Sequence, residues 1–178
     1  MQQIQLKDKT FELFIPEAQI QKAIAAMAEQ IRKEVEGTNP LFVGILNGAF
    51  MFTAELMRQL DEPYEVTFAR YASYKGTQTT GVVREIMPVQ ANVKGRTLIL
   101  LEDIIDTGFT LQYVTEKMRQ AGAADVRIAT MLFKPDSLQC ALKPDYIGLP
   151  IPSDFIVGYG LDYEEMGRAY RDIYKVME

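Results

Sequence analysis

Apolar side chains recur at helical spacing near the start of the chain. Five of them follow one another at steps of four, three, four and four, and therefore share one helix face: Ile20, Ile24, Met27, Ile31 and Val35. Pro16 and Glu17 precede this face and are typical of a first helical turn, and Gly37 follows it as a typical C-terminal residue. The pattern predicts a helix between about Pro16 and Gly37.

Two later stretches show similar spacing. The stretch Ala49–Leu60 predicts a second helix, which Pro63 follows. A third helix is predicted after Thr110, and Gly122 ends it. The apolar faces predicted for these two helices are Phe50, Ala54 and Met57 for the second, and Leu111, Val114, Met118 and Ala121 for the third.

Short runs with strand character separate the predicted helices. Thr97–Leu101 has no polar alternation beyond Thr97, which is typical of a strand buried on both faces of a parallel sheet. Because strands alternate with helices, we expect an α/β domain with a mainly parallel sheet and a small appended subdomain. The other predicted strands are Leu41–Leu46, Tyr64–Ala72, Val82–Pro88, Asp125–Phe133, Pro144–Pro150 and Phe155–Tyr159.

Three carboxylates follow the run Thr97–Leu101 within five positions, namely Glu102, Asp103 and Asp106. The carboxyl edge of the strands is where open α/β sheets bind ligands. Like charges this close raise one another's pKa unless a cation compensates them. Since the chain has no histidine and one cysteine, these acids suit Mg²⁺, which prefers oxygen ligands and usually binds together with a phosphate.

The turn Thr107–Thr110 leads from these acids into the third helix. Backbone N–H groups at a helix start, with the hydroxyls of Thr107 and Thr110, make a seat for an anion. The P-loop signature is absent, and Gly158-Tyr159-Gly160 lacks the further glycine of a dinucleotide fingerprint. Acids beside a phosphate seat predict a site for a phosphorylated sugar.

Composition excludes several other classes of protein. The 178 residues carry a net charge of -5 and show no basic stripe, which argues against a nucleic-acid partner. The absence of histidine excludes Ser-His-Asp triads and His-ligated zinc. Cys140 stands alone, and no apolar run is long enough for a signal core or a membrane span, so we expect a cytoplasmic protein without a membrane partner.

The segment Ser73–Gly81 is polar, punctuated by glycine, and has no periodic apolar face. Its composition leaves two interpretations open, a surface hairpin and a mobile lid over a site.

The segment Glu-Asp-x-x-Asp-Thr-Gly-x-Thr at Glu102–Thr110, between a buried strand and a helix, resembles the phosphoribosyl pyrophosphate (PRPP) signature of the type I phosphoribosyltransferases. Further segments resemble the hypoxanthine (guanine) branch of that family, in register from about Leu41 to about Arg168. They are Ile45–Phe50, Ser73-Tyr74, Lys134, Lys143–Asp145, Phe155–Tyr159 and Leu161–Tyr163.

The resemblance implies a type I phosphoribosyltransferase fold, with a central mainly parallel sheet flanked by helices and a small hood. It implies one domain over residues 1–178, with a core at about 35–150 and a hood from the N-terminal segment and residues 150–178. The implied reaction transfers the phosphoribosyl group of PRPP to hypoxanthine, and also to guanine, in purine salvage, giving IMP or GMP and pyrophosphate. Mg²⁺ is the implied cofactor, and a homodimer or homotetramer the implied assembly.

The resemblance also assigns roles to residues of the acid segment. Glu102 and Asp103 match acids that hold the ribose hydroxyls, directly or through metal-bound water. Asp106 matches the general base or acid near purine N7. The loop that binds the ribose phosphate corresponds to Asp106, Thr107, Gly108, Phe109 and Thr110.

Matching residues elsewhere receive roles in the same way. Asn47, Gly48 and Arg168 match pyrophosphate contacts, and Ser73 and Tyr74 match the start of the family's lid, which favours that interpretation. The residues implied to bind the purine are Lys134, Phe155, Ile156 and Asp162, and those implied to contact metal are Glu102, Asp103 and Asp162. Lys134 only donates hydrogen bonds, so it favours a purine with a carbonyl at position six over adenine.

Two positions depart from the family's pattern. Asn47 stands where the family often has Lys or Arg, in a loop that binds pyrophosphate through its backbone and often contains a cis peptide. Phe109 occupies a commonly basic or aliphatic position. The alternatives to the implied reaction are a PRPP-sensing regulatory protein of the same fold, or a phosphoribosyltransferase for xanthine or a pyrimidine.

Overall fold

The structure is a computed structural model that describes residues 2–73 and 83–177. The strands, in chain order, are β1 (Gln3–Leu6), β2 (Lys9–Ile15), β3 (Leu41–Leu46), β4 (Glu65–Ser73), β5 (Val83–Met87), β6 (Thr97–Ile105), β7 (Asp125–Phe133), β8 (Tyr146–Pro150), β9 (Ile156–Val157) and β10 (Ile173–Val176). The helices are α1 (Glu17–Val35), α2 (Phe50–Leu60) and α3 (Phe109–Gln120), with a 3-10 turn at Pro135–Ser137. None of the helices within these ranges has the length and apolar character needed to cross a lipid bilayer.

Six strands form the main sheet in the order β5-β4-β3-β6-β7-β8. Neighbours from β4 to β8 are parallel, and only the edge pair β4–β5 is antiparallel. Alternate residues of β3 pack on opposite sides, Phe42 with α1 and α2, and Val43 with α3. The predicted α/β fold with a mainly parallel sheet is therefore confirmed, and helices cover both faces as a parallel sheet requires.

A second, antiparallel sheet has the order β1-β2-β10-β9 and draws its strands from both ends of the described chain. Phe11 of β2 is opposite Val176 of β10, and Tyr174 of β10 is opposite Val157 of β9. We call this sheet the hood, together with the β1–β2 turn, the loop 158–172 between β9 and β10, and Phe155, whose carbonyl accepts a bond from Val176 of β10. The strand predicted at Phe155–Tyr159 is shorter than expected and belongs to the hood.

The apolar face predicted for α1 is confirmed, because all five of its residues are buried. The face predicted for α3 is confirmed at three positions, whereas Ala121 lies beyond the helix and is exposed.

The face predicted for α2 is wrong at Phe50 and Ala54, whereas its third residue, Met57, is partly buried and packs against the core. Phe50 is 41% exposed and Ala54 is exposed, whereas the buried residues are Phe52, Thr53, Leu56 and Leu60. The predicted face and the observed buried face of α2 both consist largely of apolar residues, so spacing alone does not show which one is buried. Contact with α1 and the main sheet selects it.

We expect the corrected face of α2 to be visible in stability. Phe52→Ala removes a fully buried ring and should lower the free energy of unfolding by about 3–5 kcal/mol because it leaves a cavity. Phe50→Ala, on the same helix, should cost less than about 1 kcal/mol because Phe50 already meets solvent. Urea unfolding of both variants provides the measurement, and equal losses would contradict the assigned orientation.

Candidate active site

A cavity of about 540 Å³ opens at the carboxyl ends of β3 and β6, beneath the hood. Both strands run parallel, so the loops that follow them meet at the same edge of the sheet. The candidate residues that line the cavity are Asn47, Gly48, Glu102, Asp103, Asp106, Thr107, Gly108, Thr110, Asp162 and Arg168. The structure thus brings together residues from the first loop, the acid segment and the C-terminal part of the chain.

Glu102 and Asp103 are the last polar pair before β6 ends, and Glu102 is only 9% exposed. Burial raises the pKa of the Glu102 carboxyl well above its ordinary value, and the neighbouring Asp103 charge raises it further. Burial also raises the pKa of Asp103, although the hydrogen bond from Glu102 and the charge of Arg168 oppose this rise. Two acids with raised pKa values form a site that a cation or a hydroxyl-rich ligand would stabilise.

The loop after β3 packs directly against this acid pair. The peptide bond between Leu46 and Asn47 is cis. A Cβ on Gly48 would lie 1.6 Å from Asp103 Oδ2, so only glycine leaves room for the carboxylate. On the other side of the loop, a Cβ on Gly160 would lie 2.0 Å from the Gly48 carbonyl oxygen. Two glycines therefore allow the hood to contact the loop backbone.

Arg168 lies at the cavity and is held there by a hydrogen bond and an ion pair within the hood. Its Nη1 donates to the Gly160 carbonyl at 2.9 Å, and its Nη2 lies 2.8 Å from Asp162 Oδ1. The other Asp162 oxygen accepts a 2.8 Å bond from the Glu165 N–H. Both oxygens of Asp162 are thus engaged within the protein, and Arg168 carries the positive charge at this wall of the cavity.

The turn from Asp106 to Thr110 forms the opposite wall. Gly108 stands before the first turn of α3 with φ +86°, and no side chain caps the helix there. A Cβ on Gly108 would come within 2.7 Å of the Cys140 sulfur, so the segment around Cys140 packs behind the turn. Within the described residues, the first N–H groups of α3 remain available for an anion.

Lys134 follows β7, the neighbour of β6, and is only 8% exposed. Its Nζ lies 3.5 Å from Asp106 Oδ2, and its backbone N–H donates to the Ile105 carbonyl at 2.9 Å. The two residues implied to recognise the purine edge and to transfer its proton therefore lie side by side.

Among the described residues, Phe155, Ile156 and Phe109 are not part of the cavity lining. Phe155 is in the hood and 45% exposed, and the next residue, Ile156, is buried in β9. Phe109 begins α3 with its side chain turned partly to solvent. Ser73 ends β4, and Tyr74 lies outside the described residues.

Two residues of the cavity region were missed by the sequence analysis. Tyr71 lines the cavity from β4, and Gly160 supports the Gly48 loop. The dipeptide spacing of Gly158 and Gly160 was a usable signal for close backbone approach, although it does not complete a dinucleotide motif. Tyr71 carries no such signal, because a tyrosine in a strand is ordinary core composition.

A parallel sheet with acids at its carboxyl edge, beneath a hood, is the arrangement that the resemblance to the phosphoribosyltransferases implies. Comparison with known proteins agrees, since residues 16–164 match the phosphoribosyl transferase domain model. The chain belongs to the phosphoribosyltransferase family.

Individual relatives show which members of this family the chain is similar to. The chain is 44% identical over 160 residues to the hypoxanthine-guanine phosphoribosyltransferase of Lactococcus lactis subsp. lactis, covering 89% of this chain and 87% of that protein. It is 39% identical over 158 residues to a bifunctional TilS/HprT protein of Listeria innocua, covering 88% of this chain and only 24% of that longer protein. A crystal structure of a hypoxanthine phosphoribosyltransferase from Staphylococcus aureus superposes with a TM-score of 0.89 at 32% identity, covering 93% and 91% of the two chains.

The raised pKa of Glu102 predicts a pH-dependent effect of removing its charge. The folded state binds this proton more tightly than the unfolded chain, so the stability that the protonated group contributes is present at low pH and is lost as pH rises through the raised pKa. Glu102→Gln keeps the shape and cannot ionise. We therefore expect it to be more stable than the unaltered protein near about pH 8, with the difference vanishing near about pH 4.

Urea unfolding in metal-free buffer at several pH values measures this difference. Glu116→Gln, an exposed position on α3, is the matched control and should show no such trend. A Glu102→Gln effect that is constant with pH would contradict the assignment.

Proposed function

We propose that this chain, as a single phosphoribosyltransferase domain, transfers the phosphoribosyl group of PRPP to hypoxanthine, and also to guanine, in purine salvage. The products are IMP or GMP and pyrophosphate. The observation that carries the proposal is the convergence of the Glu102–Asp103 pair, the turn Thr107–Thr110 and Arg168 on one cavity. The purine assignment is supported by Lys134 beside Asp106 and by the names of the relatives.

PRPP would bind across the cavity with its two phosphate groups at opposite walls. The ribose phosphate would occupy the start of α3, with hydroxyls from Thr107 and Thr110 and backbone groups from Asp106, Gly108 and Phe109. The pyrophosphate would lie against the backbone of Asn47 and Gly48, with the Arg168 guanidinium as its charged partner. Because backbone groups do the binding in this loop, Asn47 can serve there without a positive side chain.

The ribose would lie above Glu102 and Asp103. Breaking the bond to pyrophosphate leaves positive charge on the ribose, and a fixed negative charge nearby stabilises that charge. Asp103 is the member of the pair suited to this electrostatic role: burial raises its pKa, but the hydrogen bond from Glu102 and the charge of Arg168 limit that rise. Glu102 can then contact a ribose hydroxyl from its buried position.

The purine would lie between Phe155 and the Asp106–Lys134 pair. Lys134 would donate to the carbonyl at position six, and Asp106 would accept or return the proton near N7. The ion pair between them orients both groups before the base arrives. Adenine presents an amino group at position six, so Lys134 would find no acceptor on the base and would face a second donor, which disfavours adenine. Ile156 would offer backbone groups to the base edge.

Mg²⁺ fits this site as a companion of PRPP. Glu102 and Asp103 are adjacent oxygen donors whose pKa values are raised, so a cation would relieve their repulsion. No cluster of three or more acidic, histidine or cysteine residues suited to a metal occurs in the described part of the chain. This is compatible with an ion that uses few protein ligands, keeps water and shares the phosphates of its substrate. Asp162 would act through water, because Arg168 and Glu165 hold its oxygens.

We also propose a homodimer or homotetramer in the cytoplasm. Val66 and Phe68 of β4 are 41% and 36% exposed. Gly44 of β3 lies between α2 and β4, since a Cβ there would touch both Thr53 and Phe68. The two apolar residues of β4 supply a surface that a second copy would cover. Cys140 as a free thiol supports a reducing compartment.

A substrate panel tests the proposed reaction. Pyrophosphate release is measured with PRPP, Mg²⁺ and, separately, hypoxanthine, guanine, xanthine, adenine, uracil and orotate. We expect turnover with hypoxanthine and guanine, and at least about 100-fold lower kcat/KM with adenine because Lys134 would lose its acceptor. Turnover with adenine and not with hypoxanthine would refute the role of Lys134, and turnover with orotate or uracil alone would refute the purine assignment.

The role of Asp106 is tested by Asp106→Asn, which keeps the shape of the side chain and removes its basicity. We expect kcat to fall by about 100-fold or more, since a general acid or base contributes roughly that factor. PRPP binding, measured by calorimetry, should stay within about threefold, because the backbone of the phosphate seat is unchanged. Asp136→Asn, in the exposed 3-10 turn, is the control, and an unchanged kcat in Asp106→Asn would exclude Asp106 as the proton-transfer group.

A further inference from the structure

The turn between β1 and β2 contacts the segment that follows Asp162. Lys7 forms an ion pair with Glu164, and the Tyr163 hydroxyl donates a 2.7 Å hydrogen bond to Asp8 Oδ1. This bond lowers the pKa of Asp8 and raises the pKa of Tyr163 to about 12. Lys9 Nζ also lies 5.7 Å from the centre of the Tyr163 ring. The two turn residues and the first residue of β2 therefore hold Tyr163 and its neighbour Glu164.

Tyr163 in turn contacts Phe155. Their ring centres are 5.8 Å apart and the planes meet at 85°, which is the edge-to-face arrangement that aromatic pairs favour. Phe11 of β2, fully buried, completes a trio at 6.2 Å from Phe155 and 6.1 Å from Tyr163. Phe155 nevertheless remains 45% exposed. Its ring is thus packed against two aromatic rings and open elsewhere.

We infer that Tyr163, anchored by Asp8 of the N-terminal hairpin, is a positioning residue that fixes the ring of Phe155 for stacking on the purine. The inference rests on the proposed function, in which Phe155 is the stacking surface. The hairpin lies outside residues 16–164, the part that the family model matches. A segment outside the residues that the family model matches would therefore support the wall of the base site.

The expected effect follows from preorganisation. An exposed ring that is free to change rotamer must be ordered when the base binds, and that ordering weakens binding. Tyr163 and Phe11 order the Phe155 ring beforehand, so the base binds to a wall that is already formed. The groups proposed for PRPP lie on the main sheet and at Arg168. Loosening Tyr163 should therefore weaken the binding of the purine and leave the binding of PRPP nearly unchanged.

The test uses Tyr163→Phe, which keeps the ring and removes the hydroxyl, and Asp8→Ala, which removes the acceptor. We expect each to raise KM for hypoxanthine by about three- to tenfold, as loss of one fixed aromatic contact would do. KM for PRPP and saturated kcat should stay within about twofold. The double variant should be no worse than either single one, because both remove the same bond. Asp8→Asn should restore a low KM, since its amide oxygen still accepts.

Tyr174→Phe is the matched control. The Tyr174 hydroxyl also links the hood to the N-terminal segment, accepting a 2.9 Å bond from Gln2, and its ring does not belong to the Phe155 trio. An equal rise in hypoxanthine KM in this control would show general loosening of the hood and overturn the inference. A parallel rise in the PRPP KM of Tyr163→Phe, or additive effects in the double variant, would overturn it too.

The two proposals fail in different ways. If the unaltered protein turns over no purine, the proposed function fails and this inference fails with it. If purine turnover is normal and Tyr163→Phe leaves the hypoxanthine KM unchanged, only the inference about Tyr163 fails.

Discussion

The burial of two adjacent carboxyls at the end of β6 is the constraint on which the rest of the site depends. Glu102 is only 9% exposed, because β3 and β7 flank its strand and helices cover both faces of the sheet, and it meets solvent at the cavity. The surroundings are arranged to tolerate the pair: Gly48 leaves the space that Asp103 occupies, and Arg168 brings an opposing charge. An apolar pair would be more stable there, so the arrangement gives up stability for binding, as functional sites commonly do.

The two halves of the site have different mechanical support. The acid pair, the turn Thr107–Thr110 and Lys134 follow or belong to neighbouring strands of one sheet, and so keep their spacing as long as that sheet is folded. Phe155, Asp162 and Arg168 belong to the hood, which approaches the main sheet through the Gly160–Gly48 contact. Interactions within the hood therefore decide how accurately its residues are positioned relative to those of the main sheet.

The sequence predicted the parts that local pattern controls. A run such as Thr97–Leu101 can be interpreted only as a buried strand. The buried face of α1 is clear because many of the other positions of the helix are polar. The face of α2 was missed because the helix face that contains Phe50 and the one that contains Phe52 are both apolar, and only tertiary contacts distinguish them. The N-terminal hairpin was missed because its pairing with β10 is set by residues at the far end of the chain, which no local window contains. The candidate site residues were named through the family motif, and the contact between Lys134 and Asp106 required the neighbouring strands to be placed.

The pairing of β2 with β10 also has a consequence for the order of folding. It joins Phe11 to Val176, so the loop that it closes contains nearly the whole chain. Closing so long a loop has a high entropic cost until the intervening residues are compact, so the main sheet and its helices should form first. During synthesis on a ribosome, the hairpin would emerge early and could not pair with β10 until the last residues had been made. The wall that we propose for the base would then be the last part of the site to form, after the part proposed to bind PRPP is complete.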